Sequence, residues 1–517
     1  MTPPTAPSDA ASDAGAWRLA LILAAGLTLL RVIALFATPL ELYPDEAQYW
    51  LWSRDLHWGY VSKPPMIALL IRATTLFGDR EAWVRLSAPL IHAGAMLALY
   101  RVGRRLYGPA TGLLAAALYG LMPAVQISSL FIATDAPLML FLALALWAYA
   151  AMIQTPDAVP RRWIAAGLGA ALGLAFLSKF AAVYMLIGAA AHALIDRDAR
   201  SAWGRWAWAA ALAALVATFG PNLAWQAAHG FATVSHTAQV NAHWSLGRLF
   251  NLGGLTEFLL GQFGVMGPIP FAVLIGGGVE LWRRKGVEAA DRLLLCVVLP
   301  PMVMVTTQAF IARAHAHWAA AGYVAGAVLV AAWLLRWRAR GWTIAALALQ
   351  GAAAALILIV VAAPSLMDAT GNGRRLGRVR GWADTAAIIS GAAYREDIRG
   401  GLSAIAVEDR YLFNELAYYG RAYLASKGSP PLRMRPAAHA LDEAELSSPL
   451  TPAEGRRVLI AETAGKPPAP GLPGDFATTQ PLGRHTVRLD AKHARDIDLW
   501  LGVGYRGPPA SGRPTPP

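Results

Sequence analysis

The sequence predicts an all-α polytopic membrane protein with a small α/β domain towards its C-terminal end, and three observations predict it. Hydrophobic residues make up 56% of the chain and charged residues 15%, a balance that excludes a string of soluble domains at this length. Apolar windows of about 19 residues recur up to residue 363, each long enough to cross a hydrocarbon layer of roughly 30 Å. Beyond that point the chain turns polar and rich in Pro and Gly, with short alternating apolar stretches.

The elements follow in order. Residues 1–16, rich in Pro, Ala, Ser and Asp, read as a disordered cytoplasmic tail. No basic segment precedes the apolar run from Leu19 to Thr38, and the run is too long for a signal-peptide core, so it reads as an uncleaved first span. Further spans fall near 86–100, 109–128, 136–153, 163–177, 180–195, 207–226, 255–281, 293–311, 316–335 and 342–363, about eleven in all within a membrane domain 17–363. In the tail, 402-LSAIAVED-409 and 457-RVLIAET-463 read as strands. Between them 411-YLFNELAYYG-420 reads as a short amphipathic helix ended by Gly420. These make an extracytoplasmic α/β domain over 364–505, with 506–517 disordered.

Charge sets the orientation. The net charge of +13 raises the question of nucleic acid, but the Arg residues sit in short clusters between apolar spans, so no nucleic-acid partner is expected. Arg101, Arg104 and Arg105; Arg161 and Arg162; Arg197, Arg200 and Arg205; Arg283, Arg284, Lys285 and Arg292; and Arg336, Arg338 and Arg340 alternate with loops holding very few basic residues. Basic loops face the cytoplasm, which places the long first loop 39–85 and the tail outside. Cys296 lies in an apolar run and reads as inert packing.

With that orientation, polar residues from distant segments gather at the outer side. Asp45 and Glu46 follow the first span, Asp135 opens the fourth, and Lys179 lies in the turn between the fifth and sixth. The loop 225–244 adds His229, His236 and His243, and 313-RAHAHW-318 adds Arg313, His315 and His317. A carboxylate inside a span costs about 2.5–3.5 kcal/mol on insertion scales, so such residues usually line a cavity with a function. Each has a plainer reading: an acid at a helix start, a snorkelling Lys, an aromatic belt of Trp50, Trp52, Trp58 and Tyr60. Convergence lifts the set above these. If 44–53 is helical, Asp45 shares a face with Gln48, Tyr49 and Trp52, and Glu46 points roughly 100° away. An acid on that face suits a general base or a cation ligand. Lys63, held by Pro64 and Pro65, suits an anion such as a phosphate. The two-residue spacing of His315 and His317 does not give the one-face pairing of a helical zinc motif.

At these residues the sequence resembles the GT-C membrane glycosyltransferases that use polyprenyl-phosphate sugars, in the bacterial branch related to protein mannosyltransferases (family 39) and lipid A aminoarabinose transferases (family 83). The resemblance rests on 44-PDEAQYW-50, 59-GYVSKPPM-66, 134-TDAP-137, 177-LSKF-180, the His-bearing loop and 317-HWAAAGY-323, and covers residues 17–340. It implies a fold of about 11–13 transmembrane helices. It also implies that Asp45 activates the acceptor, Lys63 contacts the lipid phosphate, Asp135 is a second acid, and Lys179 and Tyr184 line the cavity. Tyr49, His236, His243, Arg313 and His317 join them as substrate-binding candidates. Some lipid A aminoarabinose transferases carry a metal-site acid where this chain has Ser62. No cofactor is therefore assigned, with a divalent cation left open.

The implied reaction moves a sugar from a polyprenyl-phosphate donor to a lipid, glycan or protein acceptor at the outer face of the bacterial inner membrane, among membrane lipids. A lipid-linked sugar flippase or transporter is the alternative, which would hold its charges nearer the midplane. The topology has a direct test. Reporters fused after Arg105, Arg162, Arg205, Arg292 and Arg340 read cytoplasmic and one after Arg399 reads external; an external signal at Arg205 overturns the orientation.

Overall fold

All eleven apolar windows fall on helices in the computed structural model, which describes residues 7–238, 250–283, 287–437, 442–465 and 471–508. Among the described residues seven helices are long and apolar enough to cross a membrane: Asp13–Ala37, Glu81–Tyr107, Asp135–Ile153, Arg205–Ala228, Ala289–Ile311, Ala316–Arg336 and Arg340–Ala362. Two windows are met by bent pairs, Pro109–Gly120 with Pro123–Leu130 at 59° and Leu252–Val265 with Pro268–Arg283 at 114°. The last two lie on Ala158–Ser178 and on the shorter apolar stretch Phe180–Ile195.

The bends have local causes. Proline disfavours helical backbone in the residue before it, and Met122 (φ −55°, ψ 130°) accordingly leaves the helix ahead of Pro123. At the sharper bend Gly267 takes φ 102°, a conformation open mainly to glycine, and Pro268 starts the next helix.

The chain forms two compact units: one from residues up to Ala37 together with Lys63–Val361, the other from Thr38–Ser62 together with residues from Ala362 onward. In the first, small residues let helices touch backbone to backbone. A Cβ added at Gly103 would sit 2.8 Å from the Gly112 Cα, so the helices Ser87–Tyr107 and Pro109–Gly120 pack closer than any side chain allows. Two buried charged groups tie helices together. Arg31, fully buried in the first helix, donates to the Gly120 carbonyl (2.6 Å) and to Gln126 Oε1 (3.2 Å), and Gln126 donates to the same carbonyl. Together they serve the acceptor left open by the helix break. Asp291, also fully buried, accepts from Tyr107 Oη (2.6 Å), Trp333 Nε1 (3.1 Å) and Arg336 Nη1 (2.6 Å), joining three helices.

The second unit is built on a five-stranded sheet. Strands β1 (Ala404–Val407), β2 (Leu432–Met434), β3 (Arg457–Thr463), β4 (Phe476–Arg488) and β5 (Ala494–Tyr505) lie in the order β2-β1-β3-β5-β4. β1 runs parallel to β2 and β3, and β5 runs antiparallel to β3 and β4. Alternation divides β1: Ile405 and Val407 enter one core with Ile389, Leu412 and Leu416, while Ala404 and Ala406 enter another with Leu450, Leu472 and Phe476. A strand buried on both faces reads as an unbroken apolar run, which is what 404-AIAV-407 is. The two strands and the helix expected in the tail are present as β1, β3 and Arg410–Tyr419 with Gly420 at its C-cap.

Thr38–Ser62 is sewn into this unit. Glu41 accepts the N–H groups of Trp382 and Ala383, capping the helix Trp382–Gly400 from a distant segment. Leu42 N donates to Tyr419 Oη (2.8 Å), and Val61 N to Glu443 Oε2 (3.0 Å). The Trp50 and Tyr418 rings meet edge to face at 4.9 Å.

The Asp291 junction yields a stability prediction. Asp291→Ala strips three donors of their acceptor, and Arg336 keeps only Glu288 at 2.7 Å among the pairs described. A loss of roughly 2–4 kcal/mol is expected, at the lower end of buried-pair breakage because Arg336 is partly exposed. Unfolding in mixed detergent measures it, and an unchanged midpoint would remove the junction from the list of stabilising contacts.

Candidate active site

The candidate residues fall on both units. Asp45, Glu46 and Tyr49 stand on the helix Pro44–Arg54 of the second. Pro44 sets the first helical turn, and Glu46 Oε2 reaches back to the Tyr43 N–H at 2.9 Å. Glu46 is only 1% exposed, so this carboxylate holds the start of its own helix. Asp45, one position earlier, is half-exposed and open to chemistry. Gln48, Tyr49 and Trp52 are buried, with the Tyr49 and Trp52 rings 5.4 Å apart.

Two cations near Asp45 were not foreseen. Arg410 Nη2 lies 3.5 Å from Asp45 Oδ1 and its guanidinium sits over the Tyr411 ring. Burial is the largest influence and works against the Arg410 charge, but Asp45 and Tyr411 together with Asp442 outweigh it and hold the guanidinium above its ordinary pKa. Arg378 donates to Tyr43 Oη at 2.7 Å, and that bond is the main reason its pKa is raised. Neither Arg has a sequence signal linking it to the Asp45 segment: Arg410 merely follows a strand, and Arg378 lies in the basic stretch 374-RRLGRVR-380.

In the first unit, four expected residues come together. Asp135 heads the helix Asp135–Ile153, where the positive end of the helix dipole favours an acid. Lys179 closes the helix Ala158–Ser178 in extended conformation (φ −164°, ψ 138°), which turns its side chain out of the helical path. The ammonium meets Asp135 Oδ1 at 2.8 Å, with each side chain 22% exposed. Lys63 and His317 lie within electrostatic reach of the same carboxylate. Lys63 is aimed by the rigid pair Pro64–Pro65, the latter capping the helix Met66–Thr74. Two ammonium groups against one carboxylate leave an excess positive charge, the condition for holding a phosphate.

The other candidates surround this cluster loosely. The rings of His315 and the exposed His317 stack 5.7 Å apart, and Arg313 and Lys179 are within electrostatic reach of His315. Tyr184 packs against the small cluster of Phe258, Val305, Ala309 and Ala319, which Trp318 also joins. His236 ends the short helix Ala232–His236 and is half-buried, and His243 lies outside the described residues. His229 stacks on Trp225 at 4.1 Å and bonds its carbonyl. Among the described residues no three His, Cys, Asp or Glu side chains converge as a metal ion requires. The Asp135 carboxylate is moreover engaged by an ammonium, a poor neighbour for a second cation.

Comparison with known proteins agrees with this architecture. The family model described as dolichyl-phosphate-mannose-protein mannosyltransferase matches residues 62–225. Lipid A galacturonosyltransferase RgtD of Rhizobium johnstonii is 40% identical over 321 residues, which are 62% of this chain and 66% of that protein. The chain therefore aligns with just under two thirds of that relative's length. The crystal structure of ArnT from Cupriavidus metallidurans in the apo state superposes with a TM-score of 0.63, covering 92% of this chain and 97% of that one at 16% identity. The chain is a multi-pass membrane protein with the GT-C fold, related to the glycosyltransferases of the protein mannosyltransferase and ArnT group.

Proposed function

We propose that this protein is a membrane glycosyltransferase that moves a sugar from a polyprenyl-phosphate donor to lipid A or a related envelope glycan on the periplasmic side of the bacterial inner membrane. The observation that carries it is the Asp135–Lys179 pair with Lys63 and His317 in reach, a cationic site at the end of an apolar helix. A donor whose sugar hangs on a lipid phosphate cannot leave the bilayer, and such a site is what its charged group requires. Kinship with RgtD, named for transfer of galacturonic acid to lipid A, supports the acceptor class.

The chemistry is a single displacement. An acceptor hydroxyl attacks the anomeric carbon, the bond from that carbon to the phosphate oxygen breaks, and polyprenyl phosphate departs with the electron pair. Asp45 takes the proton from the hydroxyl as general base. Lys63 and Lys179 stabilise the charge that grows on the leaving phosphate. Asp135 holds Lys179 in place, and Tyr184, His317 and Arg313 line the donor side.

The two bent helix pairs favour a second reading, because transporters build substrate sites from interrupted helices. Purified protein given a labelled polyprenyl-phosphate sugar and lipid A separates the two, since a transporter leaves the label on its lipid.

Substitutions divide the roles. Asp45→Asn keeps shape and removes basicity, so single-turnover transfer falls by about 10²–10⁴-fold while donor binding persists; transfer near the normal rate would remove Asp45 from the chemistry. Glu46→Gln retains an acceptor for the Tyr43 N–H and leaves transfer within a few fold, whereas Glu46→Ala lowers thermal stability by about 1 kcal/mol. Lys63→Ala weakens donor use by roughly 10- to 150-fold, the worth of one charge-assisted contact, and Lys63→Arg recovers part of it. Unaltered donor dependence in Lys63→Ala contradicts the phosphate assignment.

A further inference from the structure

The stretch 374-RRLGRVR-380 puts four Arg into seven residues shortly after the helix Arg340–Ala362, in the part of the chain that the alternation of basic loops puts outside. Basic residues close to a span are favoured on the inner side, so an outer run of this density needs a use. Arg380 has one, since it pairs with Asp368 at 2.7 Å. Arg374, Arg375 and Arg378 are exposed, and among the described residues none of them has a carboxylate within ion-pair distance.

Arg378 is the member aimed at Asp45. Its Nη1 donates to Tyr43 Oη at 2.7 Å, immediately before the helix that carries Asp45. The backbone around it is tied down: Glu41 N donates to the Val379 carbonyl at 3.0 Å and Trp382 Nε1 to the Arg378 carbonyl at 2.9 Å. Arg410 comes from another element, whose start is fixed by the Asp409 carboxylate accepting from Tyr411 N and Leu412 N. The Arg378 and Arg410 guanidinium groups lie 5.9 Å and 4.8 Å from the centre of the Tyr411 ring, so one aromatic face supports both. We propose that Arg378 and Arg410 form an anion-binding site that holds a phosphate or carboxylate of the acceptor beside Asp45.

The hydrogen-bonding capacity of the pair selects that ligand. Arg410 engages Asp45 Oδ1 at 3.5 Å and Tyr411 Oη at 3.4 Å, and Arg378 engages a neutral hydroxyl. Charge-assisted hydrogen bonds run to about 2.7–2.9 Å, so both guanidinium forks keep donors for a stronger acceptor. Asp45 and Asp442 lie within electrostatic reach of the pair, and Arg374, Arg375, Arg378 and Arg410 together outnumber them. A neutral ligand leaves that excess charge unanswered, whereas an anionic oxygen group meets it with the geometry that guanidinium forks fit. Groups already held in place cost little to engage. The choice of the acceptor as the bearer of the anion rests on the transferase reading. In that reading the anion anchors the acceptor with a hydroxyl towards Asp45, and it competes with Asp45 for Arg410, which leaves the carboxylate to take the proton.

Equilibrium binding to the full-length protein in neutral detergent, with no donor present, tests it. The probes are phosphorylated lipid A, the same lipid stripped of its phosphates, and phosphatidylglycerol. The unaltered protein prefers phosphorylated lipid A over both companions by roughly tenfold or more, the worth of one charge-assisted contact. Arg378→Gln, which can still donate to Tyr43 Oη, and Arg410→Gln each remove most of that preference while affinity for the stripped lipid stays the same. A purely structural role would instead lower both affinities together. Equal affinity for the phosphorylated and stripped lipids, or a preference intact in both variants, overturns the proposal. Phosphatidylglycerol bound as tightly as phosphorylated lipid A overturns the assignment to the acceptor. Arg378 is exposed, so its variant carries the test should Arg410→Gln unfold. A protein that transfers sugar yet ignores the phosphates defeats this site alone, and one that discriminates them yet never transfers defeats the transferase reading alone.

Discussion

The Asp135–Lys179 ion pair is the contact on which the polar chemistry of the first unit depends. A lone carboxylate at the head of an apolar helix, or a lone ammonium at the end of another, would each cost several kcal/mol in a poorly hydrated setting. Joined at 2.8 Å, and each still partly open, they hold a charged site at the end of helices that are otherwise hydrocarbon. The pair also joins two helices at a point where both have just left or entered helical backbone. Chain breaks and charges coincide here because free backbone groups and charged side chains need the same escape from hydrocarbon.

The same logic orders the buried charges elsewhere in this unit. Arg31 serves the carbonyl freed where a helix breaks, and Asp291 gathers donors from two other helices. Neither touches the cationic cluster around Asp135 in the contacts described. Charge inside the bundle therefore divides into groups that hold helices together and groups left partly open to a ligand, and exposure separates them: Arg31 and Asp291 are fully buried, Asp135 and Lys179 are not.

Hydropathy made the helices legible, since about twenty apolar residues in a row admit few other structures. Asp135 and Lys179 were legible for a related reason: each interrupts an apolar run, and an interruption inside hydrocarbon asks for a cause. The bends were written in 121-LMPA-124 and 266-MGPI-269, but length alone reads through them as continuous spans. β1 and β3 announced themselves as short alternating apolar stretches, although the structure buries both faces of each at its centre. β4 did not, because it is an edge strand, mostly exposed, punctuated by Pro481 and Gly483 where its register shifts. Glu46 resisted for another reason: Tyr43 at the cap is not one of the usual capping residues, so the local signal for its role was missing. Arg378 and Arg410 lay beyond reach altogether, since a pairing across most of the chain leaves no periodic trace.

The sewing of Thr38–Ser62 into the sheet-bearing unit changes what the C-terminal portion is for. Cutting the chain after Val361 would remove far more than an appendage. Glu41 would lose the helix it caps, Leu42 the Tyr419 hydroxyl, Val61 the Glu443 carboxylate and Asp45 its guanidinium neighbour. The aromatic segment that carries the first acidic motif would be left as an apolar strip without partners, prone to aggregate. Grafting a different tail onto these spans would likewise need to carry residues 38–62 with it. The unit of inheritance is thus discontinuous: the early loop and the late domain form one module, and a recombination that parts them would discard both.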